Sequence, residues 1–206
     1  MRFLKWTILA AILSLSAYGQ EAGITGLKLW TSSDPLGNPF GFGVYAASSV
    51  AKKLTARLEY NYAARTSTFI GQMPGSVNPD PKADPVTEEI ESSSKLNALD
   101  LSFLFEMFRT PVGNIDLGFV LGFNFLGGDR KGLDTGLSAD WPGASKMGLG
   151  LALLLRTPEI EGLPLHFNLM FKQKLLRSSS ASDTEEDPFS DTINISQLQI
   201  GIGYKF

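Results

Sequence analysis

KMGLGLALLLR, Lys146 to Arg156, alternates with a period of two: Met147, Leu149, Leu151, Leu153 and Leu155 fall on one face. Lys146, Gly148, Gly150, Ala152 and Arg156 fall on the other, with Leu154 as the exception. Successive side chains of a strand point to opposite sides, so this is a strand with one oily face and one polar or tiny face. Three more runs repeat the pattern. Asn114 to Gly127 sets Ile115, Leu117, Phe119, Leu121, Phe123 and Phe125 against Asp116, Gly118, Val120, Gly122 and Asn124. Leu163 to Lys174 sets Leu163, Leu165, Phe167, Leu169 and Phe171 against His166, Asn168, Lys172 and Lys174. Ala98 to Phe108 sets Leu99, Leu101, Phe103, Phe105 and Met107 against Asp100, Ser102 and Glu106.

Weaker runs complete the set. Leu58, Tyr60 and Tyr62 oppose Arg57, Glu59, Asn61 and Arg65; Phe42 and Val44 oppose Gly41, Gly43 and Tyr45; Leu27 and Leu29 oppose Gly26, Lys28 and Trp30. In the last run Leu198, Ile200, Ile202, Tyr204 and Phe206 oppose Gln199, Gly201, Gly203 and Lys205. Ile193 and Ile195 fall out of that phase, which predicts a bulge near Ser196. The expected strands are 24–32, 39–48, 54–69, 94–109, 114–126, 145–156, 163–177 and 192–206. Between them Ser48 to Lys53, Thr110 to Gly113 and Thr157 to Gly162 are tight, whereas Gly71 to Ser92, Gly128 to Ala144 and Ser178 to Asp191 are long and rich in Gly, Pro, Ser and acid. Asp34 to Asn38 is the one short connection on the long side. Turns at one rim and loops at the other are the rhythm of an up-and-down β-barrel.

Alternation also fits a soluble eight-stranded barrel with an apolar pocket. The character of the faces decides against it. The apolar face carries no charge, while the other holds Lys28, Arg57, Glu59, Arg65, Asp100, Glu106, Asp116, Lys146, Arg156, Lys172, Lys174 and Lys205 among small residues. A lipid-facing charge at mid-bilayer costs roughly 2–4 kcal/mol, whereas charges inside a barrel pair with one another. The expectation is an eight-stranded antiparallel transmembrane barrel, apolar side outward, with Gly41, Gly118, Gly148 and Gly201 leaving room for long charged side chains. Trp30, Phe40, Phe69, Phe125 and Trp141 near the long-loop ends, and Phe108, Phe167, Tyr204 and Phe206 near the short-turn ends, fit two interfacial girdles.

The remaining composition narrows the class. Met1 to Lys5 is basic, Trp6 to Leu15 is apolar, and Ala17 and Gly19 are small, as in a secretory signal peptide covering residues 1–19. Residues 20–206 then form one domain. There are no cysteines and the net charge is −3, so neither a disulfide framework, a thiolate metal site nor a nucleic-acid partner is expected, and no cofactor is implied. No later stretch is long and apolar enough for a membrane helix.

The chain closes on Gln199-x-Gly201-x-x-Tyr204-x-Phe206, which resembles the C-terminal signal of bacterial outer-membrane barrels. With the eight-strand rhythm, residues 20–206 look like the small group that includes OmpX, NspA and the transmembrane part of OmpA, without OmpA's periplasmic peptidoglycan-binding domain. The resemblance implies an integral outer-membrane protein with both termini periplasmic, outer-membrane lipid and lipopolysaccharide around it, and recognition of Gln199, Gly201, Tyr204 and Phe206 by the barrel assembly machinery.

Candidates for chemistry are few. Two eight-stranded outer-membrane families act on lipid A, a palmitoyltransferase and a deacylase, and this chain resembles them in architecture alone. Both use a His with a Ser nearby at the outer rim. The sole histidine, His166, falls just inside a strand leaving a short turn, and Leu165-His-Phe-Asn168 lacks the deacylase's serine, so a hydrogen-bonded interior residue is expected and no enzyme. Eight strands leave an interior that side chains fill, so the inward charges read as a salt-bridged plug before a pore; any leak would favour anions. Acid in the long loops, Glu88, Glu89 and Glu91 in one and Asp183, Glu185, Glu186 and Asp187 in another, offers hard oxygen ligands to divalent cations or a face for a basic extracellular partner. The expected role is envelope-structural or surface-interacting, with a narrow porin-like pore as the alternative and a lipid A-modifying enzyme third.

Overall fold

The computed structural model describes residues 21–32, 36–73, 87–178 and 192–206, apart from the side chains of residues 141, 142 and 178. Eight strands run in chain order: β1 (Glu21–Thr31), β2 (Phe40–Ala51), β3 (Leu54–Gly71), β4 (Glu88–Thr110), β5 (Gly113–Gly132), β6 (Ser138–Arg156), β7 (Leu165–Ser178) and β8 (Ile193–Lys205). Each pairs antiparallel with its sequence neighbour, and β8 pairs with β1, so the sheet closes as a barrel with no free edge at its waist.

Stepping between cross-strand partners from Glu21 through Ala47, Arg57, Ser102, Val120, Gly150, Lys174 and Ile195 returns to β1 at Thr31, ten residues from the start. That stagger tilts the strands by roughly 35–45° to the axis, the range of closed barrels. Each row of partners therefore climbs as it goes round.

The strong alternations hold residue for residue. On β6, Met147, Leu149, Leu151, Leu153 and Leu155 are exposed on the outside, while Lys146, Gly148, Ala152 and Leu154 are buried inside. Leu154 breaks the polar pattern because it meets Leu104, Val120, Ala152 and Met170 in a small apolar cluster within the barrel.

Three expectations fail. On β1 the phase is inverted: Leu27 and Leu29 are buried inside, whereas Gly26, Lys28 and Trp30 face outward. Ile193 and Ile195 are buried too, and β8 keeps unbroken register with both neighbours, so no bulge exists near Ser196. Both errors have one cause. The barrel interior towards the loop rim is apolar, with Leu36, Ala63, Leu96, Ala98, Leu126 and Leu176 completing the cluster around these four residues.

The third concerns length. β4 begins at Glu88 and β5 continues to Gly132, so the 128–144 connection shrinks to a turn over 133–137, in which Gly136 takes φ 70°. A strand crosses a membrane in about 9–11 residues, yet β4 has 23 and β5 has 20. Beyond Ala64, β3 continues without β2, and β6 pairs with β7 only from Lys146 onward. A sheet of β3 to β6 therefore stands clear of the barrel on the rim opposite the termini.

The glycines also divide. A Cβ on Gly203 would overlap Tyr45 Oη and the His166 ring, and one on Gly122 would crowd Asp100, so these two make room for polar side chains. Gly41 and Gly118 instead lie against the backbone of the next strand, and Gly148 against Leu176.

Candidate functional site

The interior is stacked in three layers. Nearest the termini, Glu21 gathers the ends of β1, β2, β6 and β7. Tyr45 Oη donates to its Oε1 at 2.8 Å, His166 Nε2 stands 3.0 Å from the same oxygen, and Arg156 Nη1 lies 3.1 Å from Oε2. Arg156 also reaches Asp116 at 3.2 Å, and Asn168 Nδ2 donates to Tyr45 Oη at 2.9 Å. His166 is thus the expected hydrogen-bonded interior group, held against a carboxylate. No serine is among its partners in the described residues.

Above it lies the ionic layer. Arg57 pairs with Glu59 at 2.5 Å and stacks on the Tyr45 ring at 3.6 Å. Lys172 binds both Glu59 and Asp100, the latter at 3.0 Å. Lys174 donates to Asp100 at 2.7 Å and to Asn124 at 3.2 Å. Gln199 Nε2 donates to Glu59 at 2.9 Å and to Asn61 at 3.0 Å. Every member is buried, with Lys172 and Asp100 at 0 % exposure. Charges so far from water persist only when each has partners, and long side chains from opposite walls meet here because the barrel is narrow.

The third layer is the apolar cluster already described, which Leu36 of the β1–β2 connection joins. Below the ionic layer, at the terminal rim, a vestibule of about 250 Å³ opens among Lys52, Lys53, Glu106, Arg109, Glu159 and Lys205, with His166 and Arg156 at its inner end.

Of the twelve charges expected inside, Arg57, Glu59, Asp100, Asp116, Arg156, Lys172 and Lys174 meet as described, and Lys146 is buried on the inner face. Glu106 lies at the terminal rim beside a register shift, paired with Arg109 at 2.8 Å. Three do not join. Lys28 faces outward and donates to the Asn38 carbonyl at 2.6 Å over the Phe40 ring. Lys205 is exposed at the terminal rim, 2.8 Å from Glu159, whose carboxyl that hydrogen bond holds below the usual range. Arg65 is exposed at the opposite rim beside Gly37. Glu21 has no role in the sequence reading because it precedes the first recognisable alternation, and Tyr45 figures there only as an inward residue.

The acidic expectation is corrected as well. Glu88, Glu89 and Glu91 stand in β4, not in a loop. Glu88 is buried and accepts from the backbone N–H groups of Asp134 at 3.1 Å and Thr135 at 3.0 Å and from the Thr135 hydroxyl at 2.8 Å. These bonds, led by the Thr135 backbone, hold its carboxyl below the usual range. Glu89 and Glu91 are exposed. Asp183, Glu185, Glu186 and Asp187, and the proposed signal segment 1–19, lie outside the described residues.

The outer surface is an apolar belt: Phe42, Phe105, Leu117, Phe119, Phe123, Leu151, Phe171 and Ile200 are all exposed. At its terminal edge Tyr204 and Phe206 pack edge to face at 5.0 Å, while Gln199 and Gly201 are buried inside. Trp30, Phe40 and Phe125 lie near the opposite edge; Phe69 stands beyond it in the protruding sheet, 5.9 Å from Arg130. Among the described residues no three His, Asp or Glu side chains converge to hold a metal ion.

A closed antiparallel ring that is apolar outside and ion-paired inside defines an eight-stranded transmembrane β-barrel. Solved structures have this fold: the neisserial surface protein A matches with a TM-score of 0.58 at 13% identity, over 90% of this chain and 96% of its own. The attachment invasion locus protein of Yersinia pestis matches at 0.53 and 13% identity, over 91% and 99%. A major outer membrane protein from Thermus thermophilus matches at 0.53 and 17% identity, over 90% and 99%. No family model and no curated protein sequence matches the chain.

Proposed function

We propose that this chain is a non-enzymatic protein of the bacterial outer membrane, acting as an envelope-structural or surface-interacting barrel. The observation that carries the reading is the filled interior: among the described residues an ion-paired layer and an apolar layer lie in series across the lumen. This weighs against the narrow pore. The burial of His166 against Glu21, away from the loop rim, weighs against lipid A chemistry. What remains for interaction is the sheet of β3 to β6 beyond the belt, whose exposed Ile70, Glu89 and Glu91 would meet an extracellular partner.

In this reading the termini are periplasmic, the strand containing Gln199, Gly201, Tyr204 and Phe206 is presented to the barrel assembly machinery, and lipopolysaccharide surrounds the loop-side belt. The test is fractionation with gel mobility, followed by planar-bilayer recording. The folded protein is expected in the outer-membrane fraction, with a band whose mobility changes on boiling, and to give no stepwise conductance. A stable single-channel current would sink the closed-barrel role. A soluble periplasmic protein would sink the membrane placement itself.

A further inference from the structure

A groove of about 410 Å³ runs along the outside of the belt between β6 and β7. Leu149, Leu151 and Leu153 of β6 face Phe171 and Leu175 of β7 across it. Leu117, the cross-strand partner of Leu153, extends it towards the terminal rim. Its outward polar side chains stand towards the loop side. They are Gln173 and, on β8 beside Leu175, Asn194. Gln173 pairs with Ser196, which pairs with Trp30, so this level climbs round the wall to an aromatic at the loop-side edge of the belt.

Arg177 follows Leu175 on the same outward face and is exposed. It makes no ion pair with any described residue, and among those residues the outward faces of β7 and β8 carry no carboxylate side chain. Lys28 gives the contrast, because its ammonium is drawn to the Asn38 carbonyl over the Phe40 ring. From the terminal side to the loop side the groove thus offers hydrocarbon, then carboxamides, then a guanidinium. A lipid tail alone matches only the first of these. A phosphorylated lipid whose acyl chain is amide-linked matches all three, since an amide offers a carboxamide both a donor and an acceptor and a guanidinium forks onto phosphate.

We propose that this groove is a binding site for one lipopolysaccharide molecule, with an acyl chain of its lipid A along Leu151 and Leu153, the amide linking that chain against Gln173 and Asn194, and a phosphate on Arg177. This rests on the membrane placement proposed above, which puts the loop-side half of the belt in the lipopolysaccharide leaflet, and it adds a fixed position for one such lipid. A basic side chain near an anionic lipid surface contributes about 3- to 10-fold in binding.

The chain would be purified from outer membranes, exchanged into dodecyl maltoside and titrated with deep-rough lipopolysaccharide, the complex being read by native mass spectrometry. One molecule is expected to bind in preference to phosphatidylglycerol. Arg177→Gln should weaken that binding by about 3- to 10-fold. Arg109→Gln removes the same charge at the terminal rim and should change nothing. Dephosphorylated lipopolysaccharide should bind the unaltered chain about as weakly as R177Q binds the intact lipid, with no further loss on R177Q. Gln173→Leu combined with Asn194→Leu should narrow the preference over phosphatidylglycerol, which has ester links and no amide. If folded barrels from the outer membrane bind no stoichiometric lipopolysaccharide, or lose as much on R109Q as on R177Q, the site is wrong and the membrane placement stands. Equal binding of phosphatidylglycerol also overturns it, leaving a groove for any lipid. Absence from the outer membrane overturns the placement and the site together. Heat-dependent mobility reports folding of each variant; should R177Q fail to fold, the dephosphorylated lipid on the unaltered chain decides alone.

Discussion

Lys172 shows what a buried cation demands of its neighbours. Its Nζ is shared by Glu59 and Asp100, which Arg57 and Lys174 also contact, so the layer sets three cations against two carboxylates and removing a carboxylate leaves cations uncompensated deep in the barrel. Asp100→Asn is expected to destabilise the folded barrel by about 3–5 kcal/mol, the cost of breaking a buried pair from one side, because Lys172 and Lys174 both lose their shared carboxylate. Adding Lys172→Met should recover part of that loss by removing one of the two stranded cations, because the groups are coupled and their single effects do not add. Urea titration of the refolded variants in detergent checks both; equal loss in the single and the double variant would contradict the shared-carboxylate account. At this scale the sequence is readable where charge meets an apolar alternation, as at Arg57, Glu59, Asp100, Lys172 and Lys174. It misleads at Arg65 and Lys205, where the face is right but the strand has already reached the rim and water.

Among the elements, legibility follows the contrast between the two faces. β5, β6 and β7 lie against lipid outside and mostly polar groups inside, so their alternation has an unmistakable sign. β1 and the start of β8 line the apolar layer of the lumen; with oil on both sides, Leu27, Leu29, Ile193 and Ile195 carry no sign, and an apolar-outward rule inverts their phase. Residues 88–93 of β4 resemble loop for the opposite reason. Beyond the belt both faces approach water, and a strand of Glu and Ser has no apolar side to declare. What orders that end is Glu88, whose carboxylate binds the 133–137 turn. Because its folded pKa lies below the ordinary glutamate value, the clasp contributes fully above that ordinary value and is lost as pH falls through the lowered one. Amide exchange at Thr135 should therefore be slow at neutral pH and accelerate, beyond its intrinsic pH dependence, only in acid. Glu88→Gln should exchange faster at neutral pH and lack that acid transition; a variant as protected as the original would remove Glu88 from this role.

For the whole molecule, closure is imposed twice, by unlike physics. The ionic layer blocks the lumen with charged side chains that hold one another, and the apolar layer blocks it by excluding water, so the two fail independently. Replacing Lys172 and Asp100 with serine opens space between Glu59 and Lys174, but Leu29, Leu96, Leu176 and Ile195 still seal the loop side. Replacing Leu29 and Leu176 with serine hydrates the loop side and leaves the ion pairs intact. Neither pair alone should conduct. Only the four together should give a continuous wetted path, read as stepwise current in planar bilayers from protein that still shows heat-dependent mobility. Because that combination leaves Arg57 and Lys174 facing Glu59, the path should prefer anions. Conductance from the ionic-layer pair alone would mean that the apolar layer does not seal the barrel, and the series arrangement would have to be abandoned.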